Sequence, residues 1–560
     1  MRTLFRPLIL ALLLSATGWA HALAPTDEYI RQYSERILED GDITIAGQRI
    51  ASTTLLPDFY ARRGFVPVWT ARARFEELLE LLRLAEDHGL NPDDYHYPTL
   101  ASLPDSMSPD QTAARDVLAT DALIRFAHHL HLGKVDPARL DPDWNLDRRM
   151  SEDESVDILE QAVAAPSLTR FVDTRLAPDS AFYAGLRQAL ARYRALAGAG
   201  GWPLVPNGPT LHPGDQGARV LALRTRLAVT DPALDPNLAV TDPALDPNLA
   251  DPTLFDAGLA AAVERFQRQH GLDVDGVVGS RTMEALNVPV EARIDQLRVN
   301  LERTRWVFRD LESRFLVVNI AGFEAYLMDN GQVVWDSRVQ VGKPYRKTPV
   351  FKEKMTYLVL SPTWTVPPTI LKEDVIPKIR KNPSYLAENN MVLLDRAGQR
   401  VDLGTVDLKS IGPNNFPYTV RQEPGPKNAL GRMKFMLPNK HAVYLHDTPN
   451  RSLFHRAERT TSSGCIRVQE PMSLAATLLG DPVAWNEAKI EERIARAQNE
   501  TVTLKNPVMV YLMYWTSVPD GKGDARFFSD VYSRDQAVLD ALGQPFGFND
   551  LRQVVRPDRG

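Results

Sequence analysis

The chain has 560 residues, a formal net charge of −6, 44% hydrophobic residues and 24% charged residues. Those fractions sit near globular averages and exclude wholesale disorder and fibrous repeats, while the mildly acidic balance speaks against a general nucleic-acid binder. At roughly 150 residues per domain the length predicts three or four domains, and the single cysteine, Cys465, excludes intramolecular disulfides and cysteine-ligated metal clusters.

The N-terminus reads as a secretory signal over 1–22. Arg2 and Arg6 precede a leucine-rich apolar run over 8–16, and Ala20-His21-Ala22 offers small residues at the positions a signal peptidase inspects. The run is well short of the ~20 residues that span a bilayer, and no later stretch is longer and as apolar, so a soluble, exported, periplasmic protein without a stable transmembrane anchor is expected. In that compartment an unpaired thiol risks oxidation, so Cys465 is expected to have a use.

From 27 to 196 the apolar spacing is helical, with helices predicted over 75–90, 120–132, 156–164 and 178–196, and Gly89 as a stop signal. His128-His-Leu-His131 lies within the second of these and reads as helix packing rather than a metal site, since no carboxylate or cysteine stands at ligand spacing. A glycine-rich break, Ala197-Gly-Ala-Gly-Gly-Trp202, with Pro203, Pro206 and Pro209 after it, predicts a domain boundary. Over 211–287 a small helical unit follows. It is interrupted by an eleven-residue segment, 228–238, repeated identically at 239–249; the Asp-Pro content predicts a surface loop.

Strand texture begins at Arg314, with β-branched and aromatic runs over 315–320, 325–328, 333–335, 338–341 and 354–360 separated by Asn330-Gly331 and Gly342. A proline-punctuated, more helical insertion is predicted over 367–415. Strands return over 432–445, helices over 473–479 and 485–499, and late strands over 501–504 and 508–515. The tail after Asp520 is polar.

The chemistry concentrates in Val443-Tyr-Leu-His-Asp-Thr-Pro449 and Thr460-Thr-Ser-Ser-Gly-Cys-Ile-Arg-Val468. A thiol at its free pKa is mostly protonated at neutral pH, so a nucleophilic cysteine needs a base or cation beside it. His446, 465 − 446 = 19 residues upstream, is far enough for a returning loop and could form a thiolate–imidazolium pair with Cys465. The N–H groups of Gly464 and Cys465 are candidate oxyanion donors. From spacing alone a buried cysteine and a strand-end histidine explain the pattern equally well. Arg432, Lys434 and Arg467 suit peptide carboxylates, with solvated surface charge as the equal alternative; His455 and His441 are weaker catalytic candidates.

These two motifs, together with Gly342-Lys-Pro-Tyr-Arg-Lys-Thr-Pro349, Ser361-Pro-Thr-Trp-Thr-Val-Pro-Pro368 and 422–435, resemble the L,D-transpeptidase (YkuD-type) catalytic domain, in its large periplasmic branch. The segments 214–227 and 266–286 resemble a three-helix peptidoglycan-binding module, and the helical region before it resembles the scaffold domain of the same branch. The resemblance implies a multidomain chain: a helical scaffold domain over 23–200, a binding module over 211–290, a mostly β, sandwich-like catalytic domain over 314–505 with an inserted helical lid over 367–415, and a C-terminal extension over 506–560. It implies a thioester on Cys465 with a peptidoglycan stem peptide, His446 as base and Asp447 as its orienting residue, through the backbone carbonyl or, less favoured, the carboxylate. Tyr444 and Trp364 could line a substrate cleft, although aromatics in strands are more often core, and with Arg467 and Ser463 they are the candidate substrate-binding residues. Ser463 and Arg467 stand where many relatives have histidine and asparagine. Stem peptides, glycan strands and other cell-wall enzymes are the implied partners, with no nucleic acid and no cofactor or metal. The reaction implied is 3→3 cross-linking with release of D-alanine; an L,D-carboxypeptidase or other hydrolase using the same thioester, and a non-enzymatic wall-binding scaffold, are the rivals.

Overall fold

The structure is a computed structural model, and it describes residues 23–41, 43–146, 152–234, 251–308, 311–407, 412 and 416–545. The predicted signal segment and most of the duplicated segment, 235–249, lie outside the described residues.

The N-terminal region is helical: α1 (Pro25–Asp40), α2 (Leu55–Arg62), α3 (Arg72–Arg83), α4 (Pro109–Leu132), α5 (Glu152–Ala164), α6 (Leu168–Arg175) and α7 (Ala181–Gly198), with a two-residue hairpin, β1 (Thr44–Ile45) and β2 (Gln48–Arg49). The helix predicted over 75–90 stops being α-helical at Arg83, continues as a 3₁₀ turn over Leu84–His88, and ends at Gly89. α4 begins eleven residues before the predicted start (120 − 109 = 11) because Ser108 and Gln111 form a capping box there. It runs through the core, burying Asp116, Thr120, Asp121, Arg125 and His129 alongside its apolar side chains. Those polar groups are partnered: Tyr60 donates to Asp116 at 2.7 Å, and His129 shares a hydrogen bond with the Tyr95 hydroxyl at 2.9 Å.

A three-helix unit follows, α8 (Ala218–Ala228), α9 (Ala257–Gln269) and α10 (Ser280–Leu286). It has its own apolar core, including Val220, Leu223, Leu259, Val263, Phe266 and Leu286. Gln267 anchors the turn before α10, accepting from the N–H groups of Asp275 and Gly276 at 3.1 and 3.0 Å. Helix α11 (Val290–Arg305) then packs along α7 and leads to the sheet.

That sheet has nine strands among the described residues: β3 (Arg314–Asn319), β4 (Glu324–Asp329), β5 (Gln332–Gly342), β6 (Phe351–Leu360), β11 (Met433–Met436), β12 (Leu445–His446), β13 (Thr460–Ser462), β14 (Ile466–Val468) and β15 (Glu500–Met513). Their order is β13-β5-β14-β12-β11-β6-β15-β3-β4, and β4 pairs with β5 again, so the sheet curls back on itself. The two strands predicted over 333–341 are one, β5. The two late strands are also one, β15, whose register against β6 shifts between Thr503 and Val508, where Pro507 cannot donate to the ladder. Helices α13 (Pro471–Leu479) and α14 (Glu487–Ile494) lie outside it.

The insertion is not the purely helical lid expected. Between helical turns over Pro368–Lys381 it folds a four-stranded sheet from β7 (Trp364–Thr365), β8 (Met391–Leu394), β9 (Arg400–Val401) and β10 (Thr419–Gln422), in the order β7-β10-β8-β9. Its separate core joins Val366, Val375, Ile379, Leu386, Leu393 and Val420, so the unit extends past residue 415. A four-residue apolar run such as 391–394 is too short to mark helix or strand by periodicity; one partner, β9, is only two residues long, and the other, β10, lies nearly thirty residues away.

The tail after Asp520 is more ordered than its polarity predicts. A hairpin, β16 (Ser517–Pro519) with β17 (Ala525–Phe527), and helix α15 (Asp535–Gly543) bury Phe527, Tyr532, Val538 and Leu542. This segment touches every other region. Gln269 donates to the Ala525 carbonyl at 3.0 Å, Arg303 pairs with Asp535 at 2.6 Å, and Lys134 caps the Leu542 carbonyl at 2.8 Å. Among the described residues no helix is long and apolar enough to cross a membrane.

Candidate active site

Strand pairing brings the two motifs together. β12 and β14 run parallel with Leu445 opposite Ile466 and His446 opposite Arg467, and the Ile466 N–H donates to the Tyr444 carbonyl at 3.1 Å. Cys465, one residue before β14, therefore sits at the level of Tyr444. It is half-buried, and its Sγ donates to the Ala442 carbonyl at 3.7 Å. No hydrogen bond joins Sγ to the His446 ring among the described residues.

The expected thiolate–imidazolium pair is not the resting state. Burial pushes the Cys465 thiol up to about 11, against the opposing pull of the Tyr444 N–H, the Arg467 charge and the Tyr444 hydroxyl. Burial also holds His446 down to about 3, helped by the Arg467 guanidinium and opposed by ring hydrogen bonds to the Asp447 and Leu430 carbonyls. Burial thus disfavours the charged form of each group, thiolate and imidazolium alike.

His446 Nδ1 donates to the Asp447 backbone carbonyl at 2.5 Å. The Asp447 carboxylate is committed elsewhere: it accepts from the Arg432 N–H at 2.9 Å and from Arg451 at 3.1 Å. Of the two orienting groups considered, the carbonyl is the one in place. It leaves Nε2 as the nitrogen that can take up a proton.

Gly464 has φ 118°, a conformation that favours glycine. Its N–H donates to Ser462 Oγ at 3.1 Å and its carbonyl accepts from Thr348 Oγ1 at 2.8 Å. The expectation that the Gly464 N–H serves as an oxyanion donor is therefore corrected: that donor is occupied within the turn. The Cys465 N–H has no acceptor among the described residues and remains the available one.

Tyr444 and Trp364 do lie at this site. Both are half-buried, Trp364 faces the Tyr444 hydroxyl, and that hydroxyl faces Sγ. Ser463 is exposed, and its hydroxyl accepts from Arg346 at 2.8 Å. The same guanidinium pairs with Asp374 at 2.6 Å and Glu373 at 2.5 Å, so it ties the insertion to the residue two before Cys465. Arg467 is half-buried; it donates to Gln340 Oε1 at 3.2 Å, while its Nε has no hydrogen-bond partner among the described residues. Lys434 lies over the Tyr444 ring at 5.8 Å, whereas Arg432 is engaged by Glu491 at 2.7 Å. His455 is exposed in the cleft facing the three-helix unit, and the His441 ring lies tilted against Phe351 with centroids 5.0 Å apart. Gln340, Arg346 and Thr348 had no role assigned from sequence. They lie more than a hundred residues before Cys465, and although Arg346 and Thr348 fall in the 342–349 motif, no spacing there ties them to the cysteine.

Comparison with known proteins agrees with this architecture. Residues 313–484 match the family described as "L,D-transpeptidase catalytic domain", residues 244–286 "Putative peptidoglycan binding domain", and residues 54–190 "Scaffold domain". A curated protein of Haemophilus influenzae named "Putative L,D-transpeptidase" is 36% identical over 249 residues, 44% of this chain and 50% of that protein. The chain thus spans about half the length of that relative. Among solved structures, an L,D-transpeptidase from Mycobacterium smegmatis is 13% identical, with 36% of this chain and 58% of that one covered and a TM-score of 0.18. One from Stackebrandtia nassauensis is 12% identical, with 56% and 96% covered and a TM-score of 0.20. In order along its length, then, the chain carries a scaffold domain, a peptidoglycan-binding domain and an L,D-transpeptidase catalytic domain.

Proposed function

We propose that the protein is a peptidoglycan L,D-transpeptidase working through a thioester on Cys465, acting in the periplasm or cell wall. The observation that supports this reading is the parallel β12–β14 pairing, which joins the strand ending in His446 to the strand that follows Cys465, inside a domain matched to that catalytic family.

A tetrapeptide stem enters beneath the insertion, along the surface that Tyr444 and Trp364 form together. As Sγ attacks the carbonyl carbon before the terminal D-alanine, the thiol proton passes to His446, the carbon–sulfur bond forms and the carbonyl electron pair moves onto oxygen. The Cys465 N–H and the nearby Arg467 charge stabilise that oxyanion. Collapse breaks the carbon–nitrogen bond, and His446 returns its proton to the departing D-alanine amine. The side-chain amine of a second stem then attacks the thioester, loses its proton through His446 and releases the thiol, giving a 3→3 cross-link. The insertion, held by Arg346, excludes water and so favours the amine over hydrolysis. The peptidoglycan-binding domain keeps glycan strands near the site.

The test is incubation of purified protein with tetrapeptide muropeptides, followed by mass analysis. Loss of D-alanine with dimer formation is expected. Tripeptides without dimers would replace the transferase with an L,D-carboxypeptidase, and dimers from a Cys465→Ala protein would end the nucleophile assignment.

A further inference from the structure

Four hydrogen bonds run from the C-terminal segment to the cysteine's own peptide plane. Tyr532 is buried, and its hydroxyl donates to the Gly342 carbonyl at 2.5 Å while accepting from the Thr348 N–H at 3.2 Å. Thr348 is fully buried; its Oγ1 accepts from the Gly342 N–H at 2.9 Å. Having accepted there, that hydroxyl has its single proton for the Gly464 carbonyl, at 2.8 Å. The loop between Gly342 and Thr348 is pinched at its base: a Cβ on Gly342 would stand 2.1 Å from the Arg346 carbonyl oxygen. Lys347 Nζ adds a further tie to the Tyr532 carbonyl at 2.8 Å.

The peptide bond between Gly464 and Cys465 is trans, so its C=O and N–H point in opposite directions in one plane. Fixing the Gly464 carbonyl therefore fixes the direction of the Cys465 N–H. We infer that Thr348, held by Tyr532, is a positioning residue that aims the Cys465 N–H at the oxyanion, and that the C-terminal segment is in this way part of the catalytic machinery's support. The inference rests on the thiol acyl-transfer reading and deepens it.

The experiment separates the two with two reagents on the full chain. A p-nitrophenyl ester acylates the thiol through an oxyanion: the carbon–sulfur bond forms, the ester carbon–oxygen bond breaks, p-nitrophenolate leaves, and the thiol proton goes to His446. Iodoacetamide alkylates the same sulfur by displacing iodide, with no oxyanion. For Thr348→Val, ester acylation of Cys465 is expected to slow about 10- to 100-fold, somewhat less than deletion of a whole oxyanion donor, and for Tyr532→Phe by several-fold. Alkylation is expected to change less than about twofold in both, and Thr348→Ser to retain wild-type acylation. Unchanged acylation in folded Thr348→Val, or an equal loss with both reagents, overturns the relay. If Thr348→Val does not fold by its melting transition, Tyr532→Phe against Tyr532→Leu decides: equal acylation in Tyr532→Phe and the wild type overturns it. A wild-type protein that the ester leaves unmodified at Cys465 overturns the acyl-transfer reading itself, and the relay falls with it.

Discussion

Two buried polar clusters, one in the helical N-terminal region and one at the cysteine, contain the same kinds of group and treat them differently. In the first, Asp121 is fully buried, yet it accepts from the Ser52 N–H at 2.9 Å, from Arg125 at 2.7 Å, and shares a hydrogen bond with His96 at 2.9 Å. Those partners hold the carboxyl well below its usual range despite burial. At the cysteine, burial outweighs the groups that oppose it: the thiol rises, the imidazole falls, and Arg467 Nε has no hydrogen-bond partner among the described residues. A polar cluster that satisfies itself holds a fold together. One left short of partners has interactions to give to a substrate as charge develops.

The largest expected effect breaks the first cluster. Asp121→Ala leaves Arg125 and His96 buried without their acceptor and should cost about 3–5 kcal/mol, read by urea denaturation. Iodoacetamide labelling of Cys465 in the folded fraction should be unchanged. An unchanged stability would erase the contrast.

The second tests the neutral resting pair. With the thiol at about 11, the reactive thiolate fraction rises with pH, so labelling of Cys465 should climb about tenfold per pH unit from 7 to 9 without a plateau. A preformed thiolate–imidazolium pair would instead give a rate already flat across neutral pH. Arg467→Ala sharpens the point more gently: removing a cation that lowers the thiol pKa should slow labelling at pH 8. Smallest is Arg346→Ala. Its carboxylate partners in the insertion are 54% and 42% exposed, so the loss is worth about 0.2–1 kcal/mol and should appear as a few-fold rise in KM for muropeptides, with little change in melting temperature.

The candidate catalytic elements were the most readable part of the sequence, because chemistry restricts residue type within a short span. His446, Cys465 and Gly464 stood out for that reason, and Tyr444 and Trp364 as strand aromatics that could line a cleft. What escaped was set by distant contacts. Asp447 carries two candidate acceptors, and only the positions of Arg432 and Arg451 decide that its carboxylate is taken and its carbonyl left for His446. The Gly464 N–H looked available until Ser462 Oγ was placed against it. The insertion read as helical because its strands are short and pair across long gaps, and the tail read as polar because its few buried aromatics are spread among charges.

The segment that steadies the cysteine's peptide comes late in synthesis. Tyr532 leaves the ribosome 532 − 465 = 67 residues after Cys465, and α15 later still. A growing chain holds its thiol long before the loop beneath Gly464 can be locked, so the site completes only when the chain's far end folds back onto α11 and the sheet. Timing is thereby written into the topology: nucleophile first, aim last.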